Sequence, residues 1–320
     1  MRADRDLTCT AIADTVVIHA VLHVAVNTLD LLLLAACTTF GLILLFFHLI
    51  SLFRKPFACK ISMSDQKRFY TKNRRNNMSL FTIADLHLST LDSTNKSMEV
   101  FGKRWTDYTK RLEQSWRRLV TDEDTVVIPG DISWALSLEE SLSDLKFIDA
   151  LPGKKILGKG NHDFWWCTMR KHYAFFEKHG ISTISFLFNN AHEVEDFIIA
   201  GTRGWYYDED ATNIPSGTDF EKLTKREEMR LRASLNEAVK LKEQAPEKEI
   251  IVFTHFPPVF NGKAAENIVA VLKEFGIRRV YYGHLHGNYT MPASFDYEGI
   301  KMTLISADYL EFIPKFIARD

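Results

Sequence analysis

Five short polar clusters hold the residues capable of chemistry: Asp85-Leu86-His87, Gly130-Asp131, Gly160-Asn161-His162-Asp163, Thr254-His255 and Gly283-His284-Leu285-His286. Carboxylates, an amide oxygen and imidazoles are borderline-hard donors that suit manganese, iron or zinc, whereas a soft thiolate site would have drawn on cysteine. In Asp-x-His and His-x-His, an extended backbone would point both side chains the same way, so that the pair could hold one ion. Gly130, Gly160 and Gly283 each stand directly before a proposed ligand, where the chain has to turn sharply and approach closely. A single Asp-x-His or Gly-Asp is common by chance, and a lone buried histidine is more often a core residue than a ligand. Five clusters in this order, each directly after an apolar run, are explained by neither.

Those runs are the elements that must position the clusters. Strands are expected at 80–84, 125–128, 155–157, 181–186, 197–200, 249–253, 279–282 and 301–306, and helices at 105–120, 138–151, 165–179, 225–242 and 264–275. Leu138, Leu142, Leu145 and Ile148 show the three-to-four spacing of a one-sided helix, and Gly180 sits where a helix C-terminal glycine belongs. Residues 207–224, rich in Asp, Gly, Asn, Pro and Ser, read as a long surface loop. The alternation predicts an α/β or layered α+β domain, in which loops at the C-terminal ends of strands converge on one edge.

The clusters resemble the calcineurin-like metallophosphoesterase superfamily, whose pattern runs Asp-x-His, Gly-Asp, Gly-Asn-His-Asp/Glu, His and Gly-His-x-His. The resemblance covers nearly all of 78–320 and none of 1–77. It implies an α+β fold of α/β/β/α layers, two packed mixed β-sheets flanked by helices, with two divalent metal ions (Mn, Fe or Zn) at one edge. Asp85, His87 and His286 would hold one ion; Asn161, His255 and His284 the other; Asp131 would bridge them. His162 would contact the phosphate or leaving group. Protein phosphatases of the superfamily continue the second motif as Gly-Asp-x-x-Asp-Arg-Gly, whereas here it reads Gly130-Asp131-Ile132-Ser133-Trp134-Ala135. That departure argues against a Ser/Thr protein phosphatase and is similar instead to the compact bacterial phosphohydrolases.

The expected chemistry is hydrolysis of a small phosphomono- or phosphodiester by a hydroxide bridging the two ions, with His162 protonating the leaving alkoxide. Asp163 would either orient His162 or cap a helix at Phe164. Trp134 and Trp165 would stack on a planar leaving group or pack in the core, with Trp166 a further candidate beside them. Arg203 would reach a phosphate or form a surface salt bridge. Two alternatives belong to other classes: a binding scaffold on the same fold, which would typically have lost ligands, and a nuclease. Against the nuclease, residues 78–320 carry 30 Lys or Arg and 36 Asp or Glu, a net of -6, with no basic surface to favour a nucleic-acid backbone.

Residues 1–77 differ in kind, with ten Lys or Arg against five Asp or Glu, a net of +5, and three of the four cysteines. The lone Cys167 of the remainder suits a reducing compartment. The uncharged run 31–53 is long enough to cross a bilayer as a helix, and the basic flank after it would place the C-terminal domain in the cytoplasm, with the protein anchored among membrane lipids by that helix. Equally, Met78 would serve as a translation start, with Arg74-Arg75 a purine-rich ribosome-binding sequence read through, and the domain would then be soluble and cytoplasmic.

Overall fold

The computed structural model describes residues 78–90, 98–206, 217 and 219–319. A first sheet is built from four parallel strands, β1 (Leu80–Thr82), β2 (Thr125–Pro129), β3 (Lys154–Gly158) and β4 (Ile184–Phe186), in that spatial order. A second sheet contains β5 (His192–Val194), β6 (Phe197–Thr202), β7 (Glu249–Thr254), β10 (Arg279–Tyr282), β11 (Ser294–Tyr297) and β12 (Ile300–Leu304). Between them in sequence, β8 (Val259–Phe260) and β9 (Lys263–Ala264) form a small separate hairpin. The second sheet runs β11-β12-β10-β7-β6-β5, with a parallel centre and antiparallel edges. The last strand, β13 (Lys315–Ile317), adds antiparallel to the outer side of β1. Both sheets are therefore mixed, as the resemblance implied.

Alternation along each strand divides the core into three layers. Leu80, Val127, Ile156, Phe197, Ile199, Ile251, Phe253 and Tyr281 meet between the sheets. Phe81, Val126 and Ile128 point the other way, onto α1 (Tyr108–Leu119), α2 (Leu142–Asp149) and α3 (Met169–His179). Ile198, Val252, Val280 and Tyr282 pack against α4 (Phe220–Gln244) and α5 (Glu266–Glu274). Central parallel strands are thus covered on both faces, which is why they read as unbroken apolar runs. Each such side chain contributes roughly 1.5–3 kcal/mol by leaving water.

Several expectations need correction. Helix α3 begins four residues later than expected, because Thr168 caps it by accepting the N–H of Lys171. The stretch read as a loop at 207–224 ends earlier: Asp219 accepts the N–H of Lys222, and α4 starts at Phe220. The edge strands β5, β11 and β13 were not expected at all. The candidate span at 31–53, its basic flank and the region before Met78 lie outside the described residues. Among the described residues no helix is long and apolar enough to cross a membrane.

Candidate metal centre

Every cluster sits at the C-terminal end of a parallel strand: Asp85 and His87 beyond β1, Asp131 beyond β2, Asn161 beyond β3, His255 beyond β7, His284 and His286 beyond β10. Because β1, β2 and β3 belong to one sheet and β7 and β10 to the other, the ligands converge across the seam between sheets.

They gather into two groups. Asp85, His87 and His286 offer donor atoms within 4.8 Å of one another, and so do Asp131, His255 and His284. Asn161 joins the second group, its Oδ1 lying 2.7 Å from His255 Nε2 and 3.0 Å from His284 Nδ1. Asp131 Oδ2 lies between the groups, 3.4 Å from His255 Nε2 and 3.6 Å from His87 Nε2. His284 and His286 fall in different groups, as the resemblance implied and against the spacing argument that one ion would take both. The backbone at these clusters is not extended. His284 has φ 69°, and Asp85, His87 and Asp131 are also left-handed at 60°, 45° and 50°, so the chain turns at each of these ligands instead of staying extended.

The three glycines are required by close approach. A Cβ on Gly160 would lie 2.1 Å from Asp131 Oδ1, and one on Gly283 would lie 2.4 Å from Asp85 Oδ2. At Gly130 a Cβ would meet the Gly160 backbone at 2.7 Å.

Electrostatics favour a cation here. Asp85 and Asp131 are fully buried, and among the described residues only histidines lie within ion-pair reach of them. Burial pushes the Asp85 carboxyl up to about 6, against the pull of His286. Burial, with Asp163 and Asp85 close by, lifts Asp131 well above the carboxylate range. Burial and neighbouring histidines hold His87 and His255 well below the usual imidazole range, and His284 down to about 3. These rings therefore present lone pairs. His87 Nε2 and His286 Nε2 face each other at 3.0 Å, with room for one proton at most. Buried anions and converging lone pairs without a cationic side chain fit divalent ions of the borderline class.

His162 belongs to neither group. Its N–H donates to Asp131 Oδ1 at 2.8 Å, and its ring lies 5.6 Å from that of His87 and 4.5 Å from that of Trp134. Trp134 is partly exposed and stacks on His87 at 4.8 Å. Arg203 turns to the fully buried Glu227 at 3.2 Å and to the ring of Trp205. Trp165 is buried in the core beneath the site and Trp166 packs on Phe186, the packing alternative for both.

Two further carboxylates tie the site together from outside the two groups. Asp163 neither caps a helix at Phe164 nor turns His162. It accepts the N–H groups of Asp131, Ile132, Ser133 and Gly160 and the indole N–H of Trp165, tying the second and third clusters together. Asp308, missed in the sequence, accepts from His286 Nδ1, Gly287 N–H and the Tyr289 hydroxyl, each at 3.0 Å. That hydrogen bond and the charge of Asp85 raise His286 against the effect of its burial, and fix Nε2 as the nitrogen facing the ligands. The only available signal was position, since Asp308 closely follows an apolar strand as the recognised clusters do.

Comparison with known proteins agrees. The family model for calcineurin-like phosphoesterases matches residues 78–288. Similar solved structures include a protein of unknown function from Aquifex aeolicus, with 17% identity over 75% of this chain and 96% of that one and a TM-score of 0.37. Another is the phosphopantetheinyl hydrolase of Mycobacterium tuberculosis, at 15% identity, 76% and 96% coverage and a TM-score of 0.42. No curated protein matches the chain. With about two thirds of its length matched by the family model and the motifs in place, the chain belongs to the calcineurin-like phosphoesterase family, as a hydrolase of phosphoester bonds.

Proposed function

We propose that the protein hydrolyses small phosphomono- or phosphodiesters at a centre of two divalent ions, one held by Asp85, His87 and His286, the other by Asn161, His255 and His284, with Asp131 shared. The observation that carries this is the position of Asp131 Oδ2, within 3.6 Å of a histidine nitrogen from each group. Two such ions would supply an activated water and neutralise charge on the phosphate oxygens.

The chain's own residues do the rest. Asn161 adds coordination without negative charge, which keeps the centre attractive to an anionic ester. His162 is the general acid: it stands beside the ligands without being spent on them, and can deliver a proton to the leaving oxygen. Trp134, stacked on His87 and tilted by 52° against His162, would hold a planar leaving group next to that proton. Presence of all seven ligands and His162 favours catalysis over a binding scaffold. The test is metal analysis of the purified protein, followed by a panel of mono-, di- and cyclic phosphoesters with each metal. Two equivalents of metal and metal-dependent turnover are expected; a protein that binds fewer than two ions at saturation sinks the shared-Asp131 centre.

A further inference from the structure

Beside the metal centre lies a recess that no step above uses. In the first sheet the strands that carry ligands are β1, β2 and β3, and the next is β4; in the second they are β10 and β7, and the next is β6. The recess opens at the ends of β3, β4 and β6, one strand spacing (about 4.8 Å) further along both sheets. Its walls include Lys159, Arg203, Arg230, Glu227, Leu187 and Phe188. Lys159 stands two residues before Asn161, and the Arg203 carbonyl accepts the N–H of His255, so the recess and the centre share loops.

The charges in it do not balance. Glu227 is fully buried and accepts from Arg230 at 2.7 Å and Arg203 at 3.2 Å. One carboxylate thus faces two guanidinium groups of the recess wall and, at 3.8 Å, a third from Arg226 outside it. Lys159 is half-buried, with Arg203 and Arg230 acting against its charge and Asp163 and Glu227 favouring it, and it makes no hydrogen bond or ion pair among the described residues. The Nε of Arg203 is buried without an acceptor. Among the wall residues three cations stand against one carboxylate, partly desolvated, an excess of positive charge that an unfilled recess would hold at a cost. Glu227 already orders both arginines, so an incoming oxyanion would meet fixed donors.

We propose that this recess is a subsite for a second phosphate group, carried by the substrate at a distance from the bond that is cut. A phosphate dianion matches the surplus charge, and guanidinium and ammonium donors suit its oxygens. The substrate class is then a molecule bearing two phosphate groups, an assignment that rests on the phosphoesterase reading above.

Two measurements on the full-length chain test it. The first is calorimetric titration of inorganic phosphate into chelator-treated protein, whose ligand carboxylates offer phosphate no competing site. Wild type should bind, Lys159→Met should lose about tenfold or more in affinity, and Lys159→Arg should retain it. Equal affinity in wild type and Lys159→Met, or no binding by wild type, overturns the subsite. The second compares KM for adenosine 3′,5′-bisphosphate and adenosine 5′-monophosphate in the metal-loaded enzyme. Lys159→Met should raise the ratio of bisphosphate to monophosphate KM about tenfold, and an unchanged ratio overturns its role in substrate binding. If wild type cleaves neither ester, nor a generic aryl phosphate, the phosphoesterase reading fails and with it the substrate assignment, while the titration still decides whether the recess binds phosphate.

Discussion

The first sheet brings Asp85, His87, Asp131 and Asn161 to the centre, and the second brings His255, His284 and His286. The contributions differ in kind. Both ligand carboxylates and the amide come from the first sheet, while the second supplies imidazoles alone. The supporting contacts differ as well. On the first sheet, Asp163 gathers four backbone N–H groups and so shapes two loops together. On the second, Asp308 acts on one ligand ring and the turn that follows it. Charge and loop shape are thus set by one half of the sandwich, and the other half closes the site with imidazoles that can be oriented singly. Each ligand group draws on both sheets, so ions at these positions would also fasten the seam.

The comparison is broken most severely at Asp131, the carboxylate shared by both groups. Asp131→Asn should lose most bound metal at both positions and reduce turnover by about 10³-fold or more, since each ion supplies several kcal/mol of transition-state stabilisation. Metal content and aryl phosphate hydrolysis measured together check this, and near-normal turnover would remove Asp131 from its bridging place. His162→Ala tests the one catalytic candidate on the first sheet that is not a ligand. Metal should stay bound while turnover falls roughly 10²–10⁴-fold, less for esters with acidic leaving groups, which need no proton. A loss of equal size for good and poor leaving groups would rule out proton transfer. The smallest effect is expected on the second sheet. Asp308→Asn should weaken only the ion held with His286, by about 10–100-fold. A metal titration should then separate into two unequal steps; uniform weakening of both would mean that Asp308 supports the fold and not the ring.

The parallel strands were legible because burial on both faces demands continuous apolar runs, as in Thr125–Pro129 and Glu249–Thr254. All seven expected ligands come together because each cluster directly follows such a run, and strand ends share an edge. The antiparallel edges were not legible. His192–Val194 and Ser294–Tyr297 are short and partly exposed, and their place is set by tight turns through Glu195 and through Glu298-Gly299, all left-handed. Glu298-Gly299 between Tyr297 and Ile300 was the available hairpin signal. The division of His284 and His286 between groups could not follow from spacing, because it depends on a left-handed residue that spacing assumes to be extended.

Those left-handed ligands have a further consequence. Left-handed backbone disfavours side chains in general, and histidine more than aspartate or asparagine. Strain of this kind costs roughly 1–3 kcal/mol per residue and persists only where the surroundings over-determine it. Asp85, His87, Asp131 and His284 all carry it, in loops cross-tied by buried carboxylates. An arriving ion would therefore meet a cage already bent to shape, and little of its binding energy would be diverted into rearranging the chain. The protein gives up part of its own stability to be ready in this way. Glycine at 87 or 284 would relax the backbone and delete a ligand in one stroke, so stability and metal binding pull these two positions in opposite directions.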